Sequence, residues 1–195
     1  LLAQVHVDNP VAAVVIADGL RQGLARVRRP SGLVVVCVGT DRATGDALGP
    51  LTGQKLWNMM RGVVPVYGTL EDPVHATNLA VVLREMRRRH PRHAVIAVDA
   101  CVGDPGEVGL IRVRAGRLEP GSGLDRALPA VGDVSVLGIV AAGQGVLGAM
   151  ALAHTRLHLT WTMAEVIACA ISRVVKDRSG TERATGGVER ACAQS

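Results

Sequence analysis

Hydrophobic positions along this chain fall into two textures, short unbroken apolar runs and longer stretches with a helical stripe. Leu33-Val-Val-Val-Cys-Val38 is an unbroken run of mostly β-branched residues set between Gly32 and Gly39, and Ala94 to Val98 is a second. Runs of this length predict strands buried on both faces, as in a parallel sheet. Val63 to Tyr67 predicts a third strand between them. The segments that separate the runs have a different period. Leu79, Val82, Leu83 and Met86 repeat at i, i+3, i+4 and i+7, and Pro91 closes that helix. A helix from Pro50 to about Arg61 would bury Leu51, Leu56 and Met60 and end at Gly62. Upstream, Asp8-Asn9-Pro10 is a start signal for an N-terminal helix over about 10–28, carrying Val11, Val14, Val15, Leu20 and Leu24. Strand, helix, strand, helix, strand with short connections predicts parallel strands joined by right-handed crossovers.

The texture changes after Gly103. Leu110, Ile111 and Val113 interleave with Arg112 and Arg114, the pattern of a half-exposed strand turned by Ala115-Gly116. Leu118-Glu-Pro-Gly-Ser-Gly-Leu124 is a loop, and Asp133 to Val140 predicts another strand. Val134 to Ala153 carries no charge and is long enough to cross a bilayer. Its glycines at 138, 143, 145 and 148, with Gln144, divide it into a strand, a glycine loop and a further buried segment. From Trp161 to Val175 a last helix carries Met163, Val166, Ile167, Ala170 and Val174. The expected organisation is a single α/β domain over 1–178, followed by a polar, frayed tail over 179–195.

Composition narrows the function classes. With 195 residues, 48% hydrophobic and 20% charged, the chain can bury one substantial core. It has no Phe, one Tyr and two Trp, too few aromatics for a platform that stacks single-stranded nucleic acid. The excess of 22 Lys and Arg over 17 Asp and Glu is mild. Arg84, Arg87, Arg88, Arg89 and Arg92 account for much of it and read as the wet C-terminal end of one helix. No nucleic-acid or membrane partner is expected; a homo-oligomer is left open. The four cysteines form no C-x-x-C pair, and Cys37, Cys101 and Cys169 lie in apolar runs, as small buried hydrophobes of a reducing compartment. Asp8 and Asp18 and the lack of a basic leading region argue against a signal peptide, so a cytoplasmic protein is expected.

Candidate chemistry collects after the strands. Gly39-Thr-Asp-Arg-Ala-Thr-Gly-Asp-Ala-Leu-Gly-Pro50 is a polar loop bracketed by glycines and opening into a helix. It contains neither G-x-G-x-x-G nor a Gly-Lys-Ser/Thr phosphate loop. Its carboxylates, Asp41 and Asp46, are either helix caps or site residues. The second loop, Gly68 to His75, offers Glu71 and His75, and Val-Ile-Ala-Val-Asp-Ala places Asp99 at the mouth of a buried strand. Loops at the carboxyl ends of parallel strands share one sheet edge, so Asp46, the Glu71/His75 loop and Asp99 should converge. A structural Asp99, bonded to loop amides, is the other reading. His154 and His158 have a metal-compatible spacing on a helix but no neighbouring carboxylate, and read as structural.

Several of these segments are similar to the YyaC-like family of sporulation proteins. They are 39–50, Tyr67-Gly-Thr-Leu-Glu-Asp-Pro-Val-His-Ala-Thr-Asn-Leu79, Ala97-Val-Asp-Ala-Cys-Val-Gly103, Leu118 to Leu124, and Leu128-Pro-Ala-Val-Gly-Asp-Val-Ser135. The resemblance spans about residues 30–175. That family in turn resembles the spore germination proteases, whose loop has a Thr-Pro-Asp-Ala-Leu-Gly-Pro pattern, and more distantly the hydrogenase maturation proteases. The resemblance implies a three-layer α/β/α sandwich of the phosphorylase/hydrolase type with a mostly parallel sheet, and a forespore cytoplasm. It also implies that Asp46 and Asp99 match the proposed catalytic pair of the germination proteases and two nickel ligands of the maturation proteases. The third nickel ligand, a His near Ser135, is missing; Val136 and Leu137 stand there.

Three functions follow as expectations. The first is a peptidase in which Asp46 and Asp99 act as a carboxyl pair, with Thr40, Asp41, Glu71 and His75 contacting a peptide or protein substrate. The small acid-soluble spore proteins are the substrate class the resemblance suggests. In its metal-assisted variant a divalent ion is held by Asp46 and Asp99, with His75 as a further donor; otherwise no cofactor is needed. The second is a non-catalytic sporulation protein that binds a peptide or protein partner on the same fold. The third, a nucleoside- or phosphate-handling enzyme, lacks a phosphate-binding element.

Overall fold

The computed structural model describes residues 1–28, 31–120, 128–143 and 145–192, with side chains to Arg178. The strands are β1 (Ala3–His6), β2 (Leu33–Cys37), β3 (Val66–Tyr67), β4 (Ala94–Gly103), β5 (Leu110–Ala115) and β6 (Val134–Ala142). The helices are α1 (Ala12–Leu24), α2 (Leu48–Met60), α3 (Leu79–Arg89), α4 (Gly145–Ala153) and α5 (Leu157–Cys192), with a short 3₁₀ turn at Pro105–Glu107. All six strands join one sheet in the order β1-β5-β6-β4-β2-β3. The pairs β2–β3, β2–β4 and β4–β6 are parallel, whereas β5–β6 and β1–β5 are antiparallel. The sheet is therefore mixed, with its parallel part where the sequence predicts it.

Alternation along the strands decides which face each side chain meets. Val35, Cys37, Ile96, Val98, Ile111, Val113, Val134 and Val136 form one core with α1, α2 and α5, through Ile16, Leu20, Leu48, Leu56, Met163, Ile167 and Ile171. The residues one step along, Val34, Val36 and Ala97, meet Leu79, Leu83 and Met86 of α3 on the opposite face. The result is three layers, helices on both sides of a sheet, an α/β fold. Each fully buried Leu or Ile contributes roughly 1.5–3 kcal/mol of transfer free energy, so these stripes fix the layering.

Four expectations need correction. The chain begins with a strand: β1 adds antiparallel to β5 before the N-terminal helix, which spans 12–24 and not 10–28. The segment after β6 is not buried: α4 exposes Val146, Leu147 and Met150 at 77%, 73% and 57% and buries Gly148 alone. An apolar composition without a helical stripe gives no face to turn inward, and this helix lies on the outside. His154 falls between α4 and α5 while His158 lies in α5, so they do not share a helix face, and both are exposed. Helix α5 does not stop near Val175 but continues to Cys192. No proline interrupts it, and a helix already nucleated passes Gly180, Gly186 and Gly187 at about 1 kcal/mol each. Of the expected frayed tail at 179–195, residues 179–192 are helical and 193–195 lie outside the described residues, as do the loop residues 121–127. No described helix is long and apolar enough to cross a membrane.

Candidate active site

Chain order and spatial order part company between β2 and β4. From β2 the chain moves outward to β3, then crosses back to β4 on the other side of β2 and continues to β6. Such a reversal leaves a crevice at the carboxyl ends of the two adjacent strands, where open α/β sheets bind ligands. The loop after β2 carries Asp46, and Asp99 lies in β4 just past Val98, the last residue paired with β2.

Backbone packing at the end of β2 explains the glycines. A Cβ on Gly49 would stand 1.9 Å from the Val38 carbonyl oxygen, and one on Gly53 would stand 2.0 Å from that of Gly68. One on Gly68 would meet the Cys37 oxygen at 1.9 Å. Gly39, at φ +143°, has the Asp46 carbonyl oxygen where its Cβ would be, at 2.0 Å. Four glycines thus let the first turns of α2 and the second loop close directly onto the strand end, which holds the Asp46 loop over the crevice. Buried Thr52, whose hydroxyl donates to the Leu48 carbonyl at 2.7 Å, satisfies its own polar group inside α2.

The two carboxyls have different surroundings. Asp99 is 6% exposed and lies on the face of β4 shared with Val95 and Ala97. Burial, and then the charge of Asp46, raise its pKa well above the usual carboxylate range, against the Ala100 N–H that donates to Oδ1 at 2.9 Å. Asp46 is half-buried, and burial raises its pKa too. Two groups oppose that rise: the Thr40 N–H, which donates to Oδ2 at 2.9 Å, and the charge of His75. Asp46 and Asp99 therefore form one electrostatic unit in which the deeper member is the harder to ionise.

His75 is held beside Asp46 by an internal brace. Its N–H donates to Asn78 Oδ1 at 2.8 Å, and Asn78 Nδ2 donates to the Pro73 carbonyl at 2.9 Å. Asn78 precedes α3, but its side chain secures the loop and does not cap the helix. The His75 ring contacts the Thr77 hydroxyl at 2.9 Å. Thr40 meets the site through its backbone, while its hydroxyl accepts the Arg42 N–H at 3.3 Å. Asp41 and Glu71 are exposed, and among the described residues neither has a hydrogen bond or ion pair to Asp46, Asp99 or His75. Among the described residues no group of three or more His, Cys, Asp and Glu is placed to hold a metal ion.

Cys101 is the neighbour that the apolar run conceals. It is half-buried, two residues beyond Asp99 and so on the same face of β4, and carries a free thiol. Burial and Asp99 push that thiol up to about 11, so it is a neutral S–H at ordinary pH. Period-two alternation from Asp99 would have found it. Cys37, by contrast, is fully buried and its thiol is pushed far up by burial alone. Opposite Cys101, β6 has one extra residue, so that Cys101 pairs with Ile139 and Val102 with Ala141, a bulge of the kind that re-aims side chains beside sites.

The family model described as "Protein of unknown function (DUF1256)" matches residues 4–170. The chain belongs to this family. A DUF1256 relative, "Uncharacterized protein YyaC" of Bacillus subtilis, is 45% identical over 170 residues, covering 86% of this chain and 80% of that protein. Among solved structures, the [NiFe] hydrogenase maturation protease HycI from Thermococcus kodakarensis KOD1 aligns with a TM-score of 0.51. That alignment covers 80% of this chain and 98% of HycI at 18% identity, a likeness of fold. This DUF1256 chain thus shares the α/β fold of a maturation protease, and it has two carboxylates at its topological switch point.

Proposed function

We propose that this DUF1256 chain is a peptidase of the spore-forming cell, working in the forespore cytoplasm with Asp46 and Asp99 as its acid–base pair. The observation that carries the reading is the unequal pair itself, Asp46 in the loop at the carboxyl end of β2 and Asp99 in the adjacent parallel strand just past the last residue paired with β2. Asp99, buried and beside a second carboxylate, holds its proton to higher pH; Asp46, with an amide and an imidazole on it, is the member that ionises first. Pairs whose surroundings push their pKa values apart divide acid and base roles in this way. Asp46 accepts a proton from water as that water attacks the peptide carbonyl carbon. Asp99 delivers its proton to the amide nitrogen as the C–N bond breaks. Transfer of the gained proton from Asp46 to Asp99 restores the starting state. The resemblance to the germination proteases points to the small acid-soluble spore proteins as substrates.

The test is cleavage of a small acid-soluble spore protein by the purified chain, with and without chelator, beside Asp46→Asn and Asp99→Asn. Loss of cleavage in both variants, with melting temperatures no lower than the parent's, supports the pair. Unchanged cleavage by either variant removes it.

A second reading, a non-catalytic peptide-binding protein, draws on α4. The Gly45 N–H donates to the Leu152 carbonyl at 2.8 Å, so the exposed apolar face of α4 adjoins the Asp46 loop. A parent chain that binds these proteins and cuts none of them would establish that reading.

A further inference from the structure

We propose that Arg112 and Arg114 form a carboxylate-binding subsite beside Asp99, anchoring an acidic group of the bound peptide. The proposal deepens the peptidase reading and takes its site from it. Strand register places the groups. Asp99 pairs with Leu137 of β6, and Leu137 pairs with Arg112 of β5; one step back, Ala97 pairs with Ser135, and Ser135 with Arg114. Residues aligned across a sheet share a face, so both guanidiniums stand on the Asp99 face. Their neighbours Ile111 and Val113 point into the opposite core. Helix α3 covers that face over β2 and β4, through Val34, Val36 and Ala97. Leu118 and Val131 pack on Ala97 in the row that ends at Arg114, where Ser135 is buried. In the next row Leu137, between Asp99 and Arg112, is half-exposed, and Cys101 is half-exposed one row farther along β4. The thiol of Cys101 lies in the field of Asp99 and Glu107, which push it up, and of Arg112 and Arg114, which oppose them.

The two arginines differ in what already holds them. Arg112 Nε donates to Gln4 Oε1 at 2.6 Å and its Nη2 bonds to Glu107 Oε1. Glu107 in turn accepts the Asp104 N–H at 3.3 Å. Arg112 is therefore fixed and its charge matched. Arg114 is exposed and has no hydrogen bond or ion pair among the described residues. Arg114 supplies the unmatched charge, and Arg112 is the rigid flank beside it. Two strand spacings separate Asp99 from Arg112, about 10 Å, which an extended peptide crosses in about three residues. The subsite thus selects a carboxylate about three residues from the scissile bond, from an acidic side chain or the peptide's C-terminus.

The test reads binding, not turnover. Arginine Nε–Hε resonances of Asp99→Asn, with Asp46→Asn as a second inactive background, are followed as capped nonapeptide pools are added. One pool has Glu fixed at its centre and no other acid; a second has Gln there; a third has Gln and a free C-terminal carboxylate. Shifts at Arg114 with the Glu pool or the free-carboxylate pool, and not with the capped Gln pool, are expected and tell the two carboxylate sources apart. Arg114→Gln should weaken that binding roughly tenfold, the loss of one charge-assisted hydrogen bond, with partial rescue by Arg114→Lys. Equal response to all pools, no response to any, or unchanged binding by Arg114→Gln overturns the subsite. Hydrolysis by the parent chain judges the peptidase reading separately.

Discussion

The carboxyl of Asp99 is buried in β4 within the field of Asp46, which reaches it from the loop after the neighbouring strand. Neither residue would be unusual alone. Together they resist double ionisation; the deeper burial of Asp99 makes Asp46 the first to give up its proton, and the Thr40 amide on Asp46 favours the same order.

Asp99→Asn should stabilise the fold at high pH. The folded pKa of Asp99 lies above its unfolded value, so between the two the folded state binds more protons and stability falls as pH rises. Below the unfolded value both states are protonated and the group has no effect. Asn keeps an oxygen for the Ala100 N–H while removing the charge. Urea titrations across pH should show parent and variant closest in acid and diverging as pH climbs, with the variant more stable. A gap that narrows with rising pH would contradict the burial of an uncompensated carboxyl.

Activity should follow a bell-shaped pH profile, because the base must be ionised while the acid is protonated. Asp46→Asn and Asp99→Asn should each remove cleavage, and the double variant should cost little more than either alone, as residues acting as one unit do. Rates measured for all three variants on one protein substrate check this. Independent, multiplying losses would mean that the two carboxyls do separate jobs.

Gly49→Ala and Gly53→Ala should each destabilise the fold by about 1–3 kcal/mol or more, since backbone oxygens 1.9 and 2.0 Å from the new Cβ cannot yield as a side chain would. Gly106→Ala is the control: nothing lies within 4 Å of its Cβ position, and the effect should stay within about 0.5 kcal/mol. Denaturant midpoints for the three variants decide it. Equal effects would mean that α2 stands farther from β2 than this packing requires.

What the sequence made legible follows from how local each signal is. Asp99 stands out because a carboxylate breaks the apolar run Val-Ile-Ala-Val, and parallel topology brings Asp46 close to it. That β4 runs on to Gly103, so that Asp99 is buried within the strand and not at its mouth, depends on pairing with β6 and was not legible. The two layers of helices were legible from the stripe on α3 and the unbroken runs of β2 and β4. Strand β1 was not, because Ala3–His6 is short and owes its place to pairing with Val113 and its neighbours, far along the chain. The exposure of α4 was hidden by its composition, which reads as core wherever no polar face breaks it. The amide of Thr40 carries no side-chain signature at all, and the brace at Asn78 looks like a helix cap until its partners are known.

His75 should set where Asp46 titrates without being needed for the chemistry. Its charge is one of two influences that hold the Asp46 carboxyl down against burial; the other, the Thr40 N–H, belongs to the backbone and survives any side-chain change. Removing the imidazole in His75→Ala therefore lets the Asp46 pKa rise, so the low-pH limb of the cleavage profile moves toward higher pH. The high-pH limb, set by Asp99, should stay, because Asp46 and not His75 is the charge that acts on Asp99. Asn78→Ala should reproduce the shift indirectly. It cuts the bonds to the His75 N–H and the Pro73 carbonyl, releases the loop, and costs about 1–2 kcal/mol of stability besides. Asn78→Asp separates the two bonds, since it still accepts from the His75 N–H but has nothing to donate to Pro73. Cleavage measured over the full pH range for the three variants checks the sign. A low-pH limb that stays in place in His75→Ala would mean that the imidazole does not act on Asp46, and a lost plateau rate would instead make His75 a direct participant in bond cleavage.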